Sequence, residues 1–179
     1  MNKGLKNAIR GLLVGGVAAG LSGVALAATQ GTVGPNSTGT LDITLGVSDA
    51  VRISNLADIN LGAFAGVDAV GTSVACVFRN GTGNYQLTAT GSGPLGEFRL
   101  ANGTDTVDYS VRYNDANTGA QAVTSGTLLS GLTGADPVSS TCATTGNNAT
   151  VEVTVAATDA AGLPAATYAG TLTLVVAPE

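Results

Sequence analysis

The main apolar runs of this chain recur at every second position, and that period constrains the fold more than any other feature. Within residues 72–79, Val74, Cys76 and Phe78 share one face; Tyr85, Leu87 and Ala89 form the next run, and Val107, Tyr109, Val111 and Tyr113 a third. Val151, Val153 and Val155 alternate with Glu152 and Thr154, and Leu172, Leu174 and Val176 alternate with Thr171, Thr173 and Val175. A period of two places such side chains on one face of a β-strand. No stretch after residue 27 keeps a 3.6-residue apolar period for the three turns a helix needs, and β-branched residues prevail. Turn formers separate the runs at Asn80-Gly81-Thr82-Gly83, Gly91-Ser92-Gly93-Pro94 and Asn102-Gly103. Shorter segments at 98–100 and 127–132 read as weaker strands. The expectation is an all-β chain forming a β-sandwich of immunoglobulin-like type.

The earliest alternating run stands apart from the rest. Leu41, Ile43, Leu45 and Val47 alternate with Asp42, Thr44, Gly46 and Ser48, at the end of a Gly-, Thr-, Ser- and Asn-rich leader that reads as a flexible arm over 30–40. A strand so placed either completes its own sheet or is given to the sheet of another molecule. Asp49 and the mixed polarity of residues 48–50 favour a break between this extension and the domain that follows. Gly46 suits a position where two backbones approach closely.

Residues 1–27 read as a secretory signal. Lys3, Lys6 and Arg10 form a basic start, residues 11–27 are uncharged and mostly apolar, and Ala25-Leu26-Ala27 is a small-x-small cleavage site. The run is short and Gly-rich for a membrane anchor. The mature chain is expected to begin near Ala28 and to be exported. It then keeps four arginines against all twelve acidic residues, a net charge of −8. Recognition of nucleic acid or an anionic membrane through a basic patch is thereby excluded. Dispersed negative charge instead favours solubility and opposes random pairing of strand edges.

Export places Cys76 and Cys142, the only two cysteines, in an oxidising compartment, where a structural disulfide is expected. With no histidine and no Cys-x-x-Cys spacing, a metal site is not expected. There is also no lysine after residue 27 and no Gly-x-Ser-x-Gly elbow, so a nucleophile would lack a conventional base. Asp105 and Asp108 fall near a turn and on a wet strand face, and Gly81-x-Gly83 has no following helix to hold a phosphate. Neither enzymatic activity nor a cofactor is expected. Asn-x-Ser/Thr sequons at Asn36, Asn80, Asn102 and Asn148 follow from composition, two of them coinciding with Asn-Gly turns.

Three features resemble chaperone–usher pilins. They are the signal followed by the alternating extension at 41–47, its continuation Ser48-Asp49-Ala50-Val51-Arg52-Ile53, and the ending Ala166-Thr167-Tyr168-Ala169-Gly170-Thr171-Leu172-Thr173-Leu174-Val175-Val176. The first two resemble the donor-strand junction of the alternative, colonisation-factor class. The last resembles the Gly-x-Tyr-x-Gly closing strand of archaic, spore-coat-U-like pilins, with Ala166 where the first Gly is common. The Cys76 and Cys142 positions match the usual pattern of neither class, so the subclass stays open.

The resemblance implies an incomplete sandwich over 49–179, lacking one strand and completed by a donor strand (about 39–47) within the 28–48 extension of a neighbouring subunit. Leu41, Ile43, Leu45, Gly46 and Val47 would form that strand; Tyr168, Gly170, Leu172, Leu174 and Val176 would form the closing one. It also implies identical subunits, a periplasmic chaperone and an outer-membrane usher as partners, and a place in a cell-surface pilus serving adhesion or biofilm, with a host or surface receptor beyond the fibre. The competing reading is a monomeric secreted β-sandwich that binds carbohydrate or a host receptor. Such binders present aromatic platforms, whereas this chain has no tryptophan, and Phe78, Tyr109 and Tyr113 fall on faces that read as core.

Overall fold

The structure, a computed structural model, describes residues 28–179, so the expected signal segment lies outside the described residues. The chain divides into two compact units, Met1–Gly46 and Val47–Glu179. In the described part of the first, an antiparallel bridge joins Thr29 and Thr40, each amide donating to the other's carbonyl at 2.9 and 3.0 Å. Residues 41–50 form no strand.

The second unit is a β-sandwich. Its strands are β1 (Val51–Ser54), β2 (Ala69–Arg79), β3 (Tyr85–Thr90), β4 (Arg99–Asn102), β5 (Asp105–Asp108), β6 (Ser110–Asp115), β7 (Gly119–Val123), β8 (Leu128–Leu132), β9 (Ala149–Val155) and β10 (Thr173–Pro178). One helical turn, α1 (Ala157–Ala160), and a 3-10 turn at Pro94–Gly96 are the helical elements. All pairings between strands are antiparallel: a five-stranded sheet in the order β1-β2-β9-β6-β7, a three-stranded sheet β10-β3-β8, and the β4-β5 hairpin.

The alternating rows explain why these segments are strands. Along β9, Val151, Val153 and Val155 are buried while the residues between them are half-exposed, and β3 does the same with Tyr85, Leu87 and Ala89. Val111 and Tyr113 of β6 face the same core. Burying a side chain such as Leu87 contributes roughly 1.5–3 kcal/mol. The two sheets also meet through a polar contact, the Tyr85 and Tyr113 hydroxyls lying 2.8 Å apart in the buried core. Burial pushes both phenols up, Tyr113 to about 12.

Loops are held by buried carboxylates. Asp115, fully buried, accepts from the amides of Thr133 (2.8 Å) and Gly134 (3.1 Å) and from the Thr118 hydroxyl. Asp136 accepts from the Thr145 hydroxyl (2.7 Å) and from the amides of Val138 and Ser139, and these bonds hold its carboxyl below the usual carboxylate range. Cys76 is joined to Cys142, with Cα atoms 5.8 Å apart. The same loop carries Asn148, whose side chain donates to the Val77 carbonyl and accepts from its amide, both at 2.8 Å. It thus continues the β2–β9 ladder past its last pair, Ala75 and Ala149.

Two expectations need correction, and one strand was not foreseen. The core face of β2 is Ser73, Ala75, Val77 and Arg79, not Val74, Cys76 and Phe78. Val74 is exposed and Phe78 half-buried; Cys76 is buried because its disulfide partner's loop covers it on the outer face. The closing strand begins only at Thr173, so Tyr168, Gly170 and Leu172 precede it, and of that row only Leu174 and Val176 lie on β10. Finally, β7 pairs with β6 although its sequence, Gly119-Ala-Gln-Ala-Val123, carries almost no apolar contrast.

Candidate functional site

The two sheets close well at one end and poorly at the other. β1 covers only the last residues of β2, pairing Val51–Ser54 with Arg79–Cys76. The rest of that edge, residues 69–75, has no strand beside it, and an irregular segment lies over the inner face of this part of β2. This segment touches β2 through Ala57, whose amide donates to the Ser73 hydroxyl at 2.8 Å. It also lies tight over Gly71, where a Cβ would fall 2.4 Å from Ile59 Cγ2 and 3.0 Å from Leu61 Cδ2. Any side chain at that position would push the segment away.

The chain after α1 forms the opposite wall, and its hydrogen bonds go to β4 and its neighbours. Ala169 and Ala101 exchange amide–carbonyl bonds of 2.9 and 3.1 Å, Asn102 Nδ2 donates to the Thr167 carbonyl at 3.0 Å, and the Thr171 amide donates to the Ser92 hydroxyl at 2.9 Å. Gly170 allows this approach: a Cβ there would meet the Arg99 carbonyl at 2.8 Å and Leu100 Cδ2 at 3.0 Å. The Tyr168 hydroxyl donates back to the Pro164 carbonyl at 3.2 Å, folding the wall on itself.

Between the walls lies a groove of about 1210 Å³, partly open to solvent. Its floor is the inner face of the five-stranded sheet and its neighbour β5: Val151, Val153, Val155, Val107 and Tyr109. Ile59 and Leu61 on one side and Leu172 and Leu174 on the other are only partly buried as they lean over it. Groups of this kind gain little from their present position and would gain more from a further apolar occupant.

The expected donor residues are exposed: Leu41 by 69%, Ile43 by 87%, Leu45 by 89% and Val47 by 78%. Among the described residues, a Cβ at Gly46 would meet no atom within 4 Å, so the close approach expected there is not made by them. The residues that follow are held firmly. Ser48 O accepts from Asn80 Nδ2 at 2.8 Å, Asp49 Oδ2 accepts from Arg79 Nη2 at 3.1 Å, the Asn80 amide donates to Ala50 O at 3.1 Å, and the Ala50 amide donates to Asn80 Oδ1. Arg79, itself buried, also donates to the carbonyls of Asn84 and Glu179. Sequence reasoning read Asn80 as a turn residue within a sequon and assigned Arg79 no role. The one available signal was an arginine closing a strand, six positions before the run that starts at Tyr85.

Three of the four sequon asparagines use their side-chain amides in these contacts: Asn80, Asn102 and Asn148. Among the described residues, no group of three or more His, Cys, Asp or Glu side chains could hold a metal ion, and no helix is long and apolar enough to cross a membrane.

No family model matches the sequence, and no curated protein matches it. The fold does match solved structures. One chain, from a structure described as "Chaperone-tip adhesin complex is vital for synergistic activation of CFA/I fimbriae biogenesis", aligns with a TM-score of 0.50 at 16% identity, over 72% of this chain. The match spans 42% of that chain, less than half its length. At such identity the likeness is one of fold: this β-sandwich is similar to a domain found in a fimbrial chaperone–adhesin complex.

Proposed function

We propose that this chain is a structural subunit of a bacterial surface pilus, polymerised by donor-strand exchange, with no catalytic activity. One observation carries the reading: an exposed row of alternating apolar side chains and a partly open groove floored by apolar side chains belong to the same sequence. In this reading the 41–47 segment of one copy enters the groove of the next. The segment supplies main-chain bonds to sheet edges while Leu41, Ile43, Leu45 and Val47 fill the space over Val151 and Val153; donor-strand complementation is itself a recognised case of β-augmentation. Burial of those four side chains would contribute roughly 6–12 kcal/mol gross, at about 1.5–3 each. A periplasmic chaperone would fill the groove before the exchange, which an outer-membrane usher would then host, placing the product at the cell surface in adhesion or biofilm. The fold likeness to a chain of a fimbrial chaperone–adhesin complex supports this choice.

The competing reading, a monomeric sandwich binding carbohydrate or a host receptor, would draw on aromatic platforms. Tyr85, Tyr109 and Tyr113 are buried in the core instead.

The test is electron microscopy of purified surface material combined with SDS gels run with and without boiling. Ladders that collapse on boiling are expected. A single monomer band under both conditions would reject the reading.

A further inference from the structure

We infer that residues 48–50 form a rigid joint, so that a fibre of this chain transmits the orientation of one subunit directly to the next. The inference rests on the donor-strand reading above and adds a mechanical property to it. Three hydrogen bonds and one ion pair bear on the three residues that follow Val47. Asn80 engages them three times: its amide nitrogen Nδ2 donates to Ser48 O (2.8 Å), its backbone N–H donates to Ala50 O (3.1 Å), and its Oδ1 accepts from the Ala50 amide. Arg79 holds Asp49 at 3.1 Å, and through Asn84 and Glu179 it ties this point to the β2–β3 turn and the end of β10. Val51 then enters β1, opposite Arg79 itself.

The consequence concerns linker length. The apolar row ends at Val47, and the hydrogen-bonded residues begin at Ser48. No free residue therefore separates the segment given to a neighbour from the residues fixed to the subunit's own sandwich. A tether of several Gly or Ser residues would behave as a swivel whose end-to-end reach grows with its length. A connection with no such residues leaves only the torsions around Val47 and Ser48. The fibre's bending stiffness then resides in Arg79 and Asn80, which do not line the groove, and grip in the groove is a separate property.

The test compares the full chain with Asn80→Ala and Asp49→Asn, the second neutralising the exposed carboxylate that pairs with buried Arg79. In backbone NMR relaxation of the exported full-length subunit, Ser48 to Ala50 are expected to be as rigid as β1 while Leu41 to Leu45 move freely; Asn80→Ala should free residues 48–50. In micrographs, both variants should grow boiling-sensitive fibres whose persistence length is reduced, by about twofold or more for Asn80→Ala. Unchanged stiffness in fibres of Asn80→Ala and Asp49→Asn, or wild-type residues 48–50 as mobile as 41–45, would overturn the joint and leave donor-strand exchange standing. A wild-type chain that yields no fibre overturns both.

Discussion

The two ends of β2 have the same backbone and opposite surroundings. From Cys76 to Arg79 the strand has β1 on one edge, Asn148 and the backbone of Asp136 on the other, and a disulfide across its outer face. From Ala69 to Ala75 it has β9 on one edge and no strand on the other, and an irregular segment crosses its inner face with one side-chain bond, from Ala57 to Ser73. One end is sealed by redundant, geometrically specific contacts. The other covers a floor of valines with loops whose own apolar groups remain half-exposed. An apolar floor under a loose cover is a place where a domain has left stabilisation unrealised. The contrast teaches that this fold invests its precision where the extension is rooted and leaves its unmet hydrophobic contact at the far end.

The largest effects should come from depriving the open end of its occupant. Leu45→Asp would carry a charge into an apolar groove that cannot pair it, a cost of several kcal/mol. Its own groove remains intact, so the subunit should stay soluble and chaperone-competent while fibre growth stops, as scored by micrographs and unboiled gels. A chain lacking residues 28–47 should unfold at lower denaturant than the donor-filled subunit, and a peptide of residues 40–48 should restore the difference. A truncated domain that is fully stable without peptide would erase the contrast between the two ends.

Opening the sealed end should cost nearly as much. Replacing both cysteines by serine removes a constraint across 66 residues of sequence, worth about 4 kcal/mol in the chain-entropy account. Equilibrium denaturation should show the lower midpoint, and hydrogen exchange should show new openings first around Val77 and Asn148 and not around Val153.

A smaller effect is expected at the contact between the sheets. Tyr113→Phe removes the partner of the buried Tyr85 hydroxyl and should destabilise by about 1–2 kcal/mol. A loss much below that would mean water has entered the core from the open end.

The pH dependence should be the mildest effect near neutrality. Burial raises the Tyr113 phenol to about 12, so its contribution is complete below about pH 10, the unfolded value, and is lost as pH rises from there through 12. Asp136 is shifted the opposite way by the Thr145 hydroxyl and two amides. Its contribution is present above the ordinary carboxylate range and disappears as pH falls through and below about 4. Denaturation midpoints across pH should therefore form a plateau with both shoulders, and Thr145→Val should flatten only the acid one.

What could be read from the residues followed from how regular the contrast between faces is. β3, β6 and β9 alternate bulky apolar with polar side chains, and their inward faces were legible. β2 misled because valine and phenylalanine sit on its outer face and alanine on its inner one, and because Cys76 is buried by a partner that lies 66 residues away in sequence. β7 has too little contrast between Ala120, Gln121 and Ala122 to register. The exposed row at 41–47 was plain, but the groove was not. Its walls come from two segments without period, around Ile59 and around Gly170, brought together only by tertiary contacts. The same holds for the Asn80 contacts with Ser48 and Ala50, which join residues 30 and 32 positions apart.

The disulfide has a further consequence under tension. Cys76 and Cys142 enclose a covalent ring that contains β3 to β8, while β1, β9 and β10 lie outside it. A pull applied between the root at Ser48 and the end of β10 can unravel only the outer segments, because force bypasses the ring through the sulfur–sulfur bond. On the order of 220 Å of contour, at about 3.3–3.6 Å per residue, stays locked in each subunit until that bond is reduced. Single-molecule stretching should record the shorter release in oxidising buffer and the longer one after reduction, giving each subunit a limited payout that the redox state of its surroundings sets.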